Sequence, residues 1–444
     1  MTDQEAWEGK NILKIKSDEL KTIKVIQDTG ELYENEQTPD ELRKEIEPWL
    51  TALFQCEHLS LLVGAGLSYA VHDMAAGKLP DGMSTIEFSV FDEQIGKAAE
   101  ESAKKSGRGE ANIEDQIRVA NDLIKGMEIY LSSDPYGGKK LRKELDKFKT
   151  ELVEGIGAFA RDVLQTERNI VTANNIEAAV DYLTSFLVSF SSRTAQRERL
   201  NLFTTNYDRI IEFGSELAGV RLIDRFVGNI NPVFRSSRLR VDMHYNPPGI
   251  RGEPRYLEGV VHFTKLHGSL DWIDQDNVVR RFALPFGASV DIDQYYPAPG
   301  SGGSGRLMIY PNASKDRETA EYPYVDLFRD LAAAICQPNS TLVVYGYSFG
   351  DDHINRMIKD MLTIPSTHLV IIVRSDTGGR VNRFYNSVGH HAQITLLVGG
   401  HFGDLKNLVD YYLPKPAIDR TTVRMAELLK SRGLASMHQE NGGD

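Results

Sequence analysis

The chain has 444 residues, of which 41% are hydrophobic and 26% charged, the composition of a soluble globular protein long enough for two or more lobes. A net charge of −12 argues against a nucleic-acid binder held by phosphate contacts, so clusters such as Lys139-Lys140 and Arg142-Lys143 read as a solvated helix face. The two cysteines, Cys56 and Cys336, exclude a disulfide framework and a four-cysteine zinc site, and no leader-like or membrane-length apolar run occurs, so a cytoplasmic protein without a membrane span is expected.

Residues 1–45 are highly charged and poor in large apolar side chains, and are expected to form an N-terminal extension outside the core. At 59–66, "LSLLVGAG" has the pattern of a buried parallel strand entering a tight glycine turn. Residues 85–195 change character: Ile113, Ile117, Ala120 and Ile124 recur at helical spacing, as do the apolar positions of "ELDKFKTELVEGIGAFARDVL" and "NNIEAAVDYLTSFLVSF". A helical insertion domain is predicted there. Strand-like runs return in "LNLFTTN", "VVHFTKLHG", "RLMIYP", "TLVVYGYSF", "HLVIIVRS" and "ITLLVGG", with helical patterns such as "YPYVDLFRDLAAAICQ" between some of them.

That alternation predicts an α/β fold, a Rossmann-like, mainly parallel sheet with helices on both faces, built from 46–84 and 196–416. The stretch 297–306, "PAPGSGGSGR", reads as a surface loop, and 417–444 as a C-terminal helix and polar tail.

Four strand ends carry polar or glycine-rich residues. Gly64-Ala65-Gly66-Leu67-Ser68 reads either as a structural turn or as a loop whose backbone N–H groups approach a phosphate at a helix start. Thr204-Thr205-Asn206-Tyr207-Asp208 reads either as helix capping by Asn206 or Asp208, or as side chains aimed into the crevice outside the carboxyl ends of the strands. His267 stands between an apolar strand and Gly268, and with an ordinary pKa of about 6.5 an imidazole there suits a general base. In "GYSFGDDHIN", Asp351 or Asp352 caps the following helix, or Gly346, Ser348 and Phe349 form a second ligand loop. A metal site at Asp351-Asp352-His353 is disfavoured, because adjacent side chains diverge.

Taken together and in this order, Gly64-Ala65-Gly66-Leu67-Ser68, Thr205-Asn206-Tyr207-Asp208, His267-Gly268 and Gly346-Tyr347-Ser348 resemble the NAD-binding signature of the sirtuins. The resemblance spans roughly 55–400 and rests on about fifteen residues. It implies that Gly64, Ala65, Gly66, Ser68, Thr205, Gly346, Ser348, Phe349 and Asp351 bind NAD⁺ as substrate, and that Asn206, Asp208 and His267 carry the catalysis. The chain departs from deacylating sirtuins in lacking the four-cysteine zinc module and the Pro-x-Phe-Arg loop, for which Leu79-Pro80-Asp81 is the nearest counterpart. No zinc is expected.

With its helical insertion, the chain is closer to the bacterial sirtuin-like branch of antiphage defence, whose members hydrolyse NAD⁺ to nicotinamide and ADP-ribose. Asn112-Ile113-Glu114-Asp115 resembles a helix start recurrent in that branch. The resemblance further implies a homo-oligomer and a HerA-like hexameric ATPase as partner. Two other readings remain open at this point: NAD⁺-dependent protein deacylation, and a non-catalytic subunit that binds NAD⁺ or ADP-ribose.

Overall fold

The computed structural model of the chain describes residues 7–26, 36–80, 85–105, 111–133, 138–193, 197–237, 242–245, 255–275, 278–289, 305–309 and 322–415. Its main sheet has ten strands: β1 (Asn11–Lys14), β2 (Lys21–Val25), β3 (Glu36–Gln37), β4 (His58–Val63), β5 (Leu200–Thr204), β6 (Arg221–Ile223), β7 (Val260–Lys265), β8 (Ser340–Tyr345), β9 (His368–Val373) and β10 (Ile394–Val398). They lie in the order β3-β2-β1-β10-β9-β8-β4-β5-β7-β6. From β10 to β6 every pairing is parallel. The fold is α/β, as the alternation predicts.

The apolar runs read as continuous because both sheet faces are covered, and successive side chains serve different cores. Leu59, Leu61 and Val63 of β4 face one cluster while Leu62 faces the other. The first cluster is closed by α1 (Pro39–Phe54) and α2 (Ala65–Ala76), with Leu42, Ile46 and Leu50 of α1 fully buried. A Thr38–Glu41 capping box starts α1.

Helices α3 (Asp92–Lys105), α4 (Ile113–Ser133) and α5 (Lys139–Val171) follow, then α6 (Ile176–Ser191) and α7 (Ile210–Leu217). On the opposite sheet face lie α8 (Tyr324–Ile335), α9 (Asp352–Leu362) and α10 (Arg380–Asn386).

Three observations revise the sequence reading. Within the expected extension, β1 pairs antiparallel with β10, and Ile12 and Leu13 are buried in the two cores. Lys14 is buried too, its Nζ donating to the carbonyl oxygens of His391 and of Ile394, the latter at 2.6 Å. A lysine that looks solvated in sequence is thus satisfied by backbone acceptors.

The second concerns the helical region. α3 to α5 pack around Ile117, Phe148, Leu152 and Phe159 in a separate cluster that also takes in Tyr207, Leu270, Phe282 and Leu284, whereas α6 packs Leu183, Phe186 and Phe190 into the sheet's first cluster. The third concerns "RLMIYP". Its strand, Gly305–Ile309, belongs to a separate five-stranded antiparallel sheet, where it pairs with Gly268–Gln275. The remainder of the 297–306 loop, and the tail 417–444, lie outside the described residues.

The strand order sets the position of the site. From β4 the chain proceeds to β5 on one side, while β8 lies on the other, so β4 and β8 flank a topological switch point. Open α/β sheets bind ligands in the crevice outside the strand carboxyl ends at such a point. Among the described residues no helix is long and apolar enough to cross a membrane.

Candidate active site at the strand carboxyl ends

Strand register brings the four sequence motifs to one level. Val63 of β4 is paired with both Tyr345 of β8 and Thr204 of β5, and Thr204 with Lys265 of β7. Gly64, Thr205, Leu266 and Gly346 are therefore the first residues past the sheet on four neighbouring strands.

The glycines of the first loop have a packing reason. A Cβ on Gly64 would lie 2.5 Å from the Tyr347 Cα, and one on Gly66 2.5 Å from the Gly346 Cα. Backbone N–H groups of Gly64 and Gly66 donate to the carbonyls of Tyr345 (3.0 Å) and Gly346 (2.9 Å). Both donors serve the contact between the two loops, leaving the N–H of Ala65, at the start of α2, as the one suited to an anion. Gly346 itself has φ +62°, and Phe349 is left-handed at φ +54°, an uncommon backbone conformation for a residue with a side chain.

The polar run after β5 divides its work. Thr204 Oγ1 donates to the Val63 carbonyl at 2.9 Å and accepts from the Asn206 N–H at 3.0 Å. Asn206 is buried, and its Nδ2 donates to the Gly64 carbonyl (3.0 Å) and to Ser68 Oγ (3.0 Å). Ser68 Oγ in turn donates to Asp208 Oδ2 at 2.5 Å, while Asp208 Oδ1 accepts from the Ile210 N–H at the start of α7. Asp208 thus supports the helix start, and Asn206 clamps the glycine loop. The Gly64 carbonyl fixes which end of the amide is nitrogen, so Oδ1 of Asn206 remains as an acceptor, with no hydrogen bond among the described residues. The Thr205 side chain makes none either.

The third and fourth motifs meet in a pair. His267 Nε2 lies 3.0 Å from Asp351 Oδ2, with 15% and 5% of the two side chains exposed. Gly268, at φ +89°, makes the turn that leads β7 into the antiparallel sheet. Asp351 Oδ1 caps α9, accepting from the N–H groups of His353 (2.9 Å) and Ile354 (3.2 Å). Tyr207 joins the two halves: its ring centroid is 6.3 Å from that of His267, and its OH donates to Glu114 Oε1 at 3.0 Å. Burial pushes the Tyr207 phenol well above its usual range. Glu114 belongs to the Asn112–Asp115 stretch singled out in the sequence, so the inserted helices reach the site through it.

Not every candidate points the same way. Ser348 is exposed and accepts from Arg380 Nη1 at 3.2 Å. Phe349 buries its ring against Tyr347 and Phe384, so the ring is a core element. Sequence reasoning passed over Lys265, whose Nζ is buried beneath the polar run and donates to the Asp208 carbonyl and to Glu212 Oε1 (3.0 Å). The signal was a lysine closing an apolar strand beside "LHG". Burial pushes the Glu212 carboxyl up to about 6, with Lys265 pulling the other way.

An open depression of about 630 Å³ lies elsewhere, lined by residues such as Cys56, Asn339, Ser366 and His368 near the amino ends of β4, β8 and β9. It lies at the opposite strand ends from the four sequence motifs, and beside it His58 Nδ1 is 2.6 Å from Glu198 Oε2.

Residues 200–392 match the SIR2-like domain. This SIR2-like segment is a little under half of the chain, and it contains the polar run, His267 and the Gly346–Asp351 loop. The Gly64–Ser68 loop lies outside it and joins it only in space. No curated protein matches the chain. Among solved structures, a Sir2 variant with a deacetylated p53 peptide and 3′-O-acetyl ADP-ribose aligns over 82% of this chain and 96% of its own. Identity is 12% and the TM-score 0.33.

Proposed function

We propose that the chain is an NAD⁺ glycohydrolase that cleaves NAD⁺ to nicotinamide and ADP-ribose. The observation that supports it most is the convergence of Asn206, held by the Gly64 carbonyl and Ser68, with the His267–Asp351 pair at one switch point. A SIR2-like match over residues 200–392 is in keeping with an NAD⁺ substrate.

In the proposed reaction the bond from ribose C1′ to the nicotinamide nitrogen breaks, its electron pair leaves with nicotinamide, and positive charge develops on the ribose. Water adds to C1′ and its proton passes to His267. Asn206 Oδ1 orients the water or a ribose hydroxyl, and Asp208 holds Ser68 and the start of α7 in register. Positioning and fixed dipoles supply most of the acceleration, with base catalysis by His267 worth roughly 10²–10⁴-fold.

The resemblance stated above extends this reading to bacterial antiphage defence by NAD⁺ depletion, in a homo-oligomer partnered by a HerA-like hexameric ATPase. The test mixes purified protein, alone and with its genomic neighbour's product, with NAD⁺ and follows nicotinamide release, alongside native mass measurement of both preparations. Release that depends strictly on an acylated peptide would move the reading to deacylation. Binding without turnover would move it to a sensing subunit. Full activity in Asn206→Ala and His267→Ala would remove the site assignment.

A further inference from the structure

We propose that Asp351 is a positioning residue that fixes His267 as the Nε2–H tautomer, making Nδ1 the atom that accepts the proton. The inference rests on the hydrolytic reading above and adds to it which atom is the base and what sets it.

Asp351 Oδ1 accepts two backbone N–H groups at the first turn of α9, where the helix dipole favours an anion. An ionised carboxylate is acceptor-only, so its second oxygen, 3.0 Å from His267 Nε2, requires that nitrogen to carry the hydrogen. Neutral His267 then has its lone pair on Nδ1, which makes no hydrogen bond among the described residues and is not among the buried polar atoms without a partner. The other groups around the ring do not compete for Nδ1. Tyr207 presents its ring and sends its OH to Glu114, and Phe328 is apolar, with a centroid 6.5 Å away. Tyr347 OH is engaged with the Asp351 backbone at 3.2 Å. His353 stacks edge-on to Phe328, and Asp352 is exposed at the start of α9.

The same geometry makes Asp351→Asn informative. Asparagine caps helices as well as aspartate. The cap needs an oxygen facing the His353 and Ile354 N–H groups, which places the amide nitrogen where Oδ2 now stands. A donor then faces Nε2, so Nε2 becomes the acceptor and the hydrogen moves to Nδ1, blocking the base. Asp351→Ser keeps a capping oxygen but does not reach the ring, so it releases the tautomer without inverting it. A merely structural role ranks the variants by resemblance to aspartate, with Asn the milder change. Tautomer control ranks them the other way.

The experiment records ring ¹⁵N shifts of histidine-labelled full-length protein, with His267 assigned from His267→Gln, and measures kcat and KM for nicotinamide release. The expected result is Nε2–H in the parent and Nδ1–H in Asp351→Asn. That variant should lose about 10²-fold or more in kcat with KM little changed, and Asp351→Ser should lose less. An unchanged tautomer in Asp351→Asn, or parental kcat despite inversion, overturns the proposal. If the parent releases no nicotinamide, the hydrolytic reading falls, and the ¹⁵N shifts still decide whether Asp351 sets the tautomer.

Discussion

Gly66 and Gly346 touch across the switch point: a Cβ on Gly66 would lie 2.5 Å from the Gly346 Cα, and one on Gly346 2.7 Å from the Gly66 Cα. Gly346 also has φ +62°. Gly346→Ala therefore combines a left-handed penalty of about 1–2 kcal/mol with an overpacking cost of about 1–3 kcal/mol. Gly77 has nearly the same φ, +67°, but nothing within 4 Å of its Cβ position. Gly77→Ala should show the first cost alone. Urea denaturation of the two variants separates backbone conformation from loop contact.

Asn206→Ala removes both bonds that hold the glycine loop to the polar run, leaving the Gly64 carbonyl without its side-chain donor. A stability loss of about 1–3 kcal/mol is expected. Nicotinamide release should fall at least as far as in His267→Ala. Asn206→Asp sets a carboxylate oxygen against the Gly64 carbonyl and should be no better than alanine. Activity retained in Asn206→Asp would show that the amide nitrogen is not needed.

The parts of this site legible in sequence are those set by neighbours in the chain. β4 announces itself in "LSLLV" because burial on both faces demands a run that is apolar but for the small Ser60, and Gly268 and Gly346 mark turns because only glycine takes positive φ at little cost. The His267–Asp351 bond joins residues 84 positions apart, and nothing local to either names the other. β1 was missed because pairing with β10, and not its own composition, makes "NILK" a strand, and because buried Lys14 is satisfied by carbonyls distant in sequence. α6 shows the same helical period whether it covers a sheet or joins a bundle, so its packing partner was invisible.

Arg209, the residue before α7, is buried with Glu167 of α5: Arg209 Nη2 lies 2.5 Å from Glu167 Oε2, and Glu167 Oε1 accepts the Arg209 N–H at 2.9 Å. Burial opposes the Arg209 charge, but Glu167, with Asp271 and Glu212 nearby, raises the guanidinium further. Glu167→Ala strands a buried cation and should cost about 3–5 kcal/mol. Thermal denaturation followed by circular dichroism reads that loss.

Glu212 titrates at about 6 in the folded protein, above its ordinary 4.5. Between those values the folded state binds more protons than the unfolded, so stability falls as pH rises through the window, by about 2 kcal/mol from this group. The relative stabilisation is fully present below pH 4.5 and gone above about 6. Glu212→Gln should lack this slope. Denaturation midpoints of both proteins between pH 4 and 7.5 measure the difference, and equal slopes would rule Glu212 out as its source.

The pairing of Ile12 with Val398 ties the order of synthesis to the order of assembly. At about 5–20 residues per second, a ribosome needs roughly twenty seconds to over a minute to pass from one to the other. The strand made early therefore waits, its apolar residues uncovered, until β10 emerges. The parallel strands made before it can pair in the meantime, which leaves β9 as an open edge until β10 joins it, and then β10 until β1 does. A hand-off of this length exposes the nascent chain to edge-to-edge association and to chaperones until Val398 is made, and β1 is the clasp that ends the exposure.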